Sequence, residues 1–461
     1  MGRCLFPILS PFILAAACAM NAAGQSTSHA LVDVSIIDGT GAPAVAHQTI
    51  LIADGRITTI GPSNVVVVPA EATVHDLAGR YVVPGFIDLH VHFPSDSSVH
   101  QAMLDRLLEY GVTTLLNPGA RPNAGVALRK RIESGELLGP RMRTAGPIID
   151  YAPVEAGLTG WSVGVTSEAE IRHEVRRQAD LGVDWIKLYR RLPPDLVAAA
   201  IDEAHQLGLP VIGHMGETTW GQAARAGIDM LVHSGWGTPM DEVVNLEDPA
   251  AATDREWYHA YADATNGTRF QQLAETLRAH QVTVVPTLSI TQASGLGADA
   301  TLLPEFRVDL APDTVVSDAV DWWSPGWRER HPQYDPDSDE EAELLSTVYF
   351  PGVLAIVRRY YEMGIVLGVG TDVGNSWMTP GFVYHHELGL YQDAGIPPLQ
   401  ILKMATYNGA LALGMLADVG SIEVGKRADL VVLAQDPSMD IRRAREIEMV
   451  FLDGRVVETK R

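Results

Sequence analysis

The pattern of hydrophobic and polar residues divides the chain into two β-rich ends and a long middle section. Residues 30–83 consist of short β-branched runs separated by turn signals, including Asp54-Gly55, a pair typical of hairpins. Residues 415–461 have the same character. Because each end is too small to close a hydrophobic core alone, we expect the two ends to form one β-sandwich domain together.

The middle section, residues 84–414, alternates apolar strands with amphipathic helices. The predicted strands are 85–92, 111–117, 141–150, 184–189, 209–215, 228–233, 282–290 and 364–372. Eight strand–helix units are the number found in a (β/α)₈ TIM barrel. Residues 291–350 form a long insertion before the eighth strand, and such loops are usually functional or have structure of their own. The sequence therefore predicts an α/β fold, a TIM barrel with a small β-sandwich.

Composition narrows the classes of partner. The chain has 461 residues, of which 46% are hydrophobic and 20% are charged, which is ordinary for a globular protein. Its formal net charge is −23, and no basic block occurs. These features argue against nucleic acid or an anionic membrane surface as the main partner.

Residues 1–24 differ in character from the rest of the chain. One charge, Arg3, precedes an apolar run that is too short to span a bilayer, and small residues follow. This order is typical of a secretory signal peptide and predicts a secreted or periplasmic protein. A second interpretation is a lipoprotein signal, in which lipidation of Cys18 would attach the protein to the outer membrane.

Both cysteines, Cys4 and Cys18, lie within this segment. A mature chain without them has neither a disulfide nor a thiolate ligand. Any metal ion would therefore be bound by nitrogen and oxygen atoms.

Polar residues stand at the ends of five predicted strands. His90 and His92 are one strand period apart, so both imidazoles point to the same face of an otherwise apolar strand. The others are Lys187, His214, His233 and Asp372. A single histidine in a strand is usually a core residue, and Asp372 alone is compatible with a helix cap. Their common place at the strand ends, where barrel enzymes have their active sites, favours a metal site.

Lys187 lies inside the apolar segment "DWIKLY". Burial and a nearby cation both favour the neutral amine, which reacts with carbon dioxide to give a carbamate. The carbamate is an anionic ligand with two oxygens that would bridge two divalent cations. The alternative is an unmodified amine paired with an acid such as Asp184.

These motifs resemble the amidohydrolase superfamily of metal-dependent hydrolases. The resemblance covers nearly the whole mature chain and includes "PGFIDLHVH", "GVDWIKLY", "GLPVIGHM", "GIDMLVHSG", "GVGTDVG" and "GSIEVGKRADLVVL". The "DWIKLY" lysine and the "ATYNGALALG" helix are most similar to the imidazolonepropionase-related and Xaa-Pro dipeptidase-like branch.

The resemblance implies two divalent metal ions. His90, His92 and Asp372 would bind one ion, His214 and His233 the other, and carboxylated Lys187 would bridge them. Zinc suits these ligands best, although manganese, cobalt or iron would tolerate them. Asp372 would be catalytic: it would accept a proton from the attacking water and pass it to the leaving group.

The substrate-binding residues are less well defined by sequence. Tyr189 shares a strand face with Lys187, and His386 follows the eighth strand closely. We predict that both line the pocket, together with Trp236 and with Trp322 and Trp323 of the insertion. The alternatives are that Tyr189 packs the barrel top, that His386 begins a surface helix, and that the tryptophans pack a small subdomain.

The sequence therefore predicts an exported binuclear hydrolase, expected as a homo-oligomer, that cleaves an amide. We expect a small-molecule substrate, an N-acyl amino acid or a dipeptide-like compound with an apolar side. One alternative is a lactone, ester or organophosphate hydrolase that uses the same site. A second is a catalytically silent binding or scaffold protein, although no expected ligand is missing.

Overall fold

The structure is a computed structural model of the chain. It describes residues 28–95, 97–235, 240–244, 246, 251–293, 339–375 and 378–458. The predicted signal peptide, with Cys4 and Cys18, lies outside the described residues. So do Trp236, Trp322, Trp323 and most of the insertion at 291–350.

The described residues form eighteen strands in two β-rich ends and a central section. The strands are β1 (His29–Ile36), β2 (Val45–Ala53), β3 (Arg56–Pro62), β4 (Thr73–Asp76), β5 (Tyr81–Pro84), β6 (Phe86–Asp88), β7 (Val112–Asn117), β8 (Arg141–Thr144), β9 (Ile148–Tyr151), β10 (Ser162–Val165), β11 (Ile186–Leu188), β12 (Val211–Gly213), β13 (Met230–Val232), β14 (Thr283–Val285), β15 (Val366–Leu367), β16 (Leu430–Leu433), β17 (Ile447–Leu452) and β18 (Arg455–Val456).

Helices fill the connections between the central strands. The α-helices are His100–Glu109, Ala124–Glu133, Glu168–Leu181, Pro194–Gln206, Trp220–Ala226, Met240–Val243, Asp254–Ala262, Thr268–Ala279, Asp339–Leu344, Phe350–Glu362, Phe382–Asp393, Pro398–Lys403 and Gly409–Ala412. Local sequence explains several helix starts: Thr253, for example, forms a capping box with Glu256. Within the described part of the chain, no helix has the length and apolar character needed to cross a membrane.

The two chain ends share one eight-stranded sheet. Its order is β18-β17-β16-β5-β1-β2-β3, and β4 pairs with β1. The connection between the ends is the antiparallel pairing of β5 with β16, in which Leu430 lies opposite Pro84. Leu31, Ile50 and Phe451, all buried, contribute to a single hydrophobic cluster beneath the sheet. The sharing of one sheet by both ends is as expected, while the sandwich and the domain boundaries stay predictions.

The central strands are parallel and form two ladders, β6-β7-β8 and β10-β9-β11-β12-β13-β14-β15. The ladders do not merge into one continuous sheet, but they meet at both edges. At one edge Ala145 forms an isolated bridge with Trp185, and at the other Val91 bridges Val373. All six residues of β7 are buried, as in a sheet covered on both faces.

Several predicted strands are shorter in the structure than the sequence suggested, and two of them have a clear local cause. Residues 141–150 form two strands, β8 and β9, because Gly146 and Pro147 interrupt the run; Pro147 has no N–H to donate and its carbonyl accepts from Gln178 Nε2 at 2.8 Å. The strand predicted at 282–290 ends at Val285, before Pro286 and a left-handed Thr287 with φ of 50°.

Candidate metal centre

His90 and His92 follow β6 and are held by a buried carboxylate. Asp88 accepts hydrogen bonds from the His90 backbone N–H at 3.0 Å and from the Thr371 hydroxyl at 2.7 Å. The Nε2 atoms of the two histidines are 3.2 Å apart. His92 Nδ1 lies 3.2 Å from the Gly119 carbonyl oxygen, which fixes the orientation of that ring. Both Nε2 atoms are therefore directed at one point.

Asp372, the predicted catalytic residue, meets the histidine pair from the end of the eighth strand region. Its Oδ1 lies 3.3 Å from His90 Nε2 and 3.4 Å from His92 Nε2. The Asn375 amide donates to the same oxygen at 2.7 Å. One ligand atom from each of His90, His92 and Asp372 lies within 4.8 Å of the others, so the three side chains are able to hold one metal ion.

His214 and His233 lie beside this group, after β12 and β13. Their ring centroids are 4.4 Å apart, and the His233 ring lies 5.0 Å from that of His90. His233 Nδ1 is 2.7 Å from the Thr287 hydroxyl oxygen. His214 Nε2 is buried and has no hydrogen-bond partner among the described residues. The structure thus places all four predicted histidines in one cluster.

Lys187 lies in the centre of β11 and is only 2% exposed. Its Nζ is buried without a hydrogen-bond partner within the described ranges. Burial lowers the pKa of this amine to about 7, against the opposing effect of Asp372. Asp184, named as an example of an acid partner for an unmodified amine, does not pair with Lys187: its carboxylate binds Arg129, Arg143 and the Thr144 N–H.

The electrostatics of the cluster suit a cation. Burial lowers the pKa of His90 and His214 well below the usual value and that of His233 to about 4. Burial alone would raise the pKa of Asp372, but the neighbouring imidazoles, His90 foremost, outweigh it and lower the pKa. Neutral imidazoles and a carboxylate are hard-to-borderline donors that fit zinc and similar divalent ions.

Backbone strain occurs at three residues in or beside the cluster. The backbone φ angles are positive, 66°, 50° and 63°, at His233, Thr287 and Asp372. Residues other than glycine rarely adopt such angles. Strain of this kind persists where surrounding structure enforces it and is common at functional sites.

Of the predicted substrate-binding residues, Tyr189 and His386 lie among the residues that the structure describes. The Tyr189 ring packs edge-on against His214, with centroids 4.8 Å apart, and the Arg190 guanidinium carbon lies 5.6 Å from the centre of the Tyr189 ring. His386 Nε2 lies 2.7 Å from Gln292 Oε1, at the start of the insertion. Trp236, Trp322 and Trp323 lie outside the described residues.

Sequence reasoning missed three polar residues that support the cluster: Thr287, Asn375 and Glu387. The Glu387 carboxylate accepts from the backbone N–H groups of Leu288 and Ser289, next to Thr287. Asp88 was visible as an acid inside an apolar strand. Asn375 lies three residues after Asp372, so its contact is local. Thr287 and Glu387 had no local signal, because each reaches the site through tertiary contacts.

Parallel strands alternating with helices, with imidazole and carboxylate groups gathered after the strands beside the buried amine of Lys187, are the features of the class of metal-dependent hydrolases. The chain belongs to the Amidohydrolase family, whose model matches residues 81–457. Members of this family generally use divalent metal ions and have a TIM-barrel-like α/β fold, which the described strands and helices fit. The chain is accordingly a hydrolase that acts on carbon–nitrogen bonds of the amide type.

Individual relatives agree with the predicted branch. Imidazolonepropionase from Symbiobacterium thermophilum is 24% identical over 437 residues, covering 90% of this chain and 88% of the relative. A Bifidobacterium longum protein provisionally assigned as a prolidase is 27% identical, with a TM-score of 0.69 and 94% of each chain covered. A Xaa-Pro dipeptidase with bound methionine has the same TM-score at 20% identity, covering 94% of this chain and 100% of its own. The predicted superfamily and its prolidase-like branch are confirmed.

Proposed function

We propose that the protein is an exported, binuclear metal-dependent amidohydrolase that cleaves the amide bond of an N-acyl amino acid or a dipeptide-like substrate with an apolar side. The observation that carries the proposal is the convergence of four histidines, Asp372 and the amine of Lys187, whose Nζ has no hydrogen-bond partner among the described residues. A buried amine without a partner costs free energy unless a ligand compensates it.

The proposed metal ligands follow from this arrangement. His90, His92 and Asp372 would hold one divalent ion, and His214 and His233 a second. Lys187, carboxylated on Nζ, would bridge the two, since a neutral amine is the form that reacts with carbon dioxide. The nitrogen and oxygen donors make zinc the best candidate. When bound, the ions would acidify a water molecule and polarise the substrate carbonyl.

Asp372 has the clearest role among the residues of the chain itself. Its carboxylate oxygen faces the histidine cluster and is held by the Asn375 amide at 2.7 Å. A carboxylate in this position accepts the proton of the attacking water and returns it to the leaving nitrogen. Tyr189, beside His214, would contact the substrate.

The substrate class is supported by the relatives. Enzymes similar to this chain over most of its length include imidazolonepropionase and a Xaa-Pro dipeptidase. The wider proposal includes a closed (β/α)₈ barrel at 84–414, a β-sandwich of residues 30–83 and 415–461, a signal peptide at 1–24 that directs export, and a homo-oligomer. If Cys18 is lipidated, the protein would instead be an outer-membrane lipoprotein.

A substrate panel tests the reaction. Xaa-Pro dipeptides and N-acyl amino acids would be compared with lactones, esters and organophosphates, using metal-replete protein. We expect amide turnover that chelation abolishes and Zn²⁺ restores. Turnover confined to the lactones, esters or organophosphates would reject the amide assignment and favour the first alternative.

Metal analysis separates an enzyme from a silent binding protein. The proposal requires two equivalents of divalent metal per chain and loss of turnover in Asp372→Asn, in which the proton acceptor is removed. A protein with less than about one equivalent, and no activity on adding metal, would be the silent member.

A further inference from the structure

The hydrogen bond between His233 and Thr287 has a defined direction. The Thr287 hydroxyl lies 2.8 Å from the Pro286 carbonyl oxygen, which can only accept, so the single hydroxyl proton points there. The hydroxyl oxygen must then accept from His233 Nδ1, 2.7 Å away. His233 therefore carries its proton on Nδ1, which makes Nε2 the unprotonated nitrogen, the form that binds a cation.

Thr287 does not hold this position unaided. Its φ of 50° lies in the left-handed region, which is costly for a β-branched residue. The two residues that follow are clamped by Glu387, whose carboxylate accepts from Leu288 N at 2.7 Å, Ser289 N at 2.6 Å and Ser289 Oγ at 2.6 Å. Glu387 is fully buried on the helix Phe382–Asp393, so it comes from a different element and fixes the turn from outside.

We propose that Glu387 and Thr287 are positioning residues for the metal bound by His214 and His233. Glu387 immobilises the turn after β14 by three hydrogen bonds, and Thr287 on that turn sets the tautomer and the ring orientation of His233. Partners of this kind orient a ligand without touching the metal. The inference rests on the proposed assignment of His233 as a metal ligand.

The geometry favours this role over a purely structural one. A carboxylate that only capped the helical segment after Thr287 would satisfy the backbone N–H groups and contribute to stability, with no contact to the histidine cluster. Here the capped turn also bears the strained Thr287, whose hydroxyl contacts a residue of the metal cluster. The strained residue is thus the one whose hydroxyl bonds His233.

Metal affinity tests the inference in the full-length protein. Zn²⁺ binding would be measured by competition with a chromogenic chelator in Thr287→Val, Thr287→Ser and wild type, and the Co²⁺ form would be compared by its visible spectrum. We expect Thr287→Val to lower the affinity for one of the two metal equivalents about 10- to 100-fold and to alter the visible bands of the Co²⁺ form. Thr287→Ser, which keeps the hydroxyl, should bind both equivalents as wild type does.

Thr406→Val is the matched control. Thr406 is also fully buried, and its hydroxyl bonds the Leu402 carbonyl at 2.7 Å, away from the cluster. It should lower stability but leave both affinities unchanged. Equal losses in Thr287→Val and Thr406→Val, or no loss in Thr287→Val, would overturn the inference.

Glu387→Gln tests the second step. Glutamine keeps one acceptor oxygen but turns its amide hydrogens toward backbone donors. Binding of the same metal equivalent should therefore weaken. The double variant with Thr287→Val should lose less metal affinity than the product of the two single effects. Fully multiplicative effects would reject coupling through the turn. His233→Ala separates the two proposals: if it leaves both equivalents bound as in wild type, the binuclear assignment itself fails.

Discussion

Lys187 shows how strongly burial controls the chemistry of a single residue. An exposed lysine amine is protonated at neutral pH, whereas burial brings the pKa of Lys187 down to about 7. At pH 8 the neutral form would therefore predominate, and only that form reacts with carbon dioxide. The proposed role of Lys187 as a ligand therefore depends on its position in the fold, since nothing in its own structure distinguishes it from a surface lysine.

Lys187→Met tests this at the residue scale. Methionine fills the space but provides no nitrogen, so we expect loss of bridging, less than two metal equivalents and a fall in kcat/KM of about 100-fold or more. Lys426→Met is the control, because Lys426 is also buried but its Nζ bonds Ser421 Oγ at 2.5 Å in the terminal sheet region. Wild-type metal content in Lys187→Met would contradict the bridging role.

His386 should make stability depend on pH. Burial is the main cause that lowers its pKa to about 4; Asp393 opposes the shift and Arg442 adds to it. Between pH 6.5 and about 4 the unfolded chain binds a proton that the folded chain does not, so this contribution to stability is lost as the pH falls through that window. The loss reaches on the order of 2 to 3 kcal/mol at pH 4.

The matched variant for this prediction is His386→Gln, which retains a polar side chain near Gln292 but does not titrate. Its free energy of unfolding, from denaturant titrations at pH 7, 6, 5 and 4, should fall less steeply than that of wild type. Parallel curves for the two proteins would assign the pH dependence to other groups.

At the scale of elements, the place where the two ladders meet, at the bridge of Val91 with Val373, leaves little room beside the candidate metal site. Gly374 follows Asp372 with φ of +101°, and a Cβ at this position would lie 2.2 Å from the His92 carbonyl oxygen. The His92 N–H bonds the Val373 carbonyl at 2.6 Å, so the backbone of His92 cannot move away without breaking the junction.

Gly374→Ala should therefore disturb metal binding as well as stability. We expect a loss of about 2 kcal/mol or more from strain and overpacking, together with reduced metal content. Gly79→Ala is the control, because Gly79 has a similar φ of +77° but nothing within 4 Å of the added Cβ. It should cost about 1 kcal/mol and leave the metals in place. Metal content and thermal denaturation would be measured for both variants. Equal metal content would show that the contact at His92 is unimportant for metal binding.

The elements also show what the sequence can and cannot predict. The parallel strands were recognisable because each is a short apolar run, and His90 and His92 because strand periodicity is local. The break between β8 and β9 has a local cause, Gly146 and Pro147, whereas the Gln178 side chain that bonds Pro147 comes from a helix. Thr287 and Glu387 became visible only when residues about 50 to 100 positions apart came together, which no pattern along one strand records. Asn375 was missed although its partner, Asp372, is three residues away.

At the scale of the whole molecule, charged groups connect the central strands to the terminal sheet. Arg141 of β8 binds the buried carboxylate of Asp429 at 2.6 Å and Asp453 at 2.6 Å. Burial raises the pKa of Asp429, and Arg141 opposes this shift. The guanidinium thus supplies the compensating charge for this buried acid, whose other oxygen accepts from the Asp453 N–H at 2.8 Å.

Arg141→Gln should destabilise the protein by about 2 to 4 kcal/mol, because it leaves Asp429 buried without its partner. Arg427→Gln is the comparison: Arg427 also binds Asp453, but both side chains are more than a third exposed, so its loss should cost about 1 kcal/mol or less. Thermal unfolding of the two variants gives the answer. Similar melting temperatures would mean that the buried pair contributes no more than the exposed one.

The shared sheet also dictates the order in which the molecule can be completed during synthesis. β5 leaves the ribosome early, yet one of its hydrogen-bonding edges is filled only by β16, which is translated more than 340 residues later. Until then the nascent amino-terminal strands present an open edge. Any polypeptide released by a premature stop codon upstream of β16 would keep that edge permanently, which makes such fragments targets for aggregation and proteolysis.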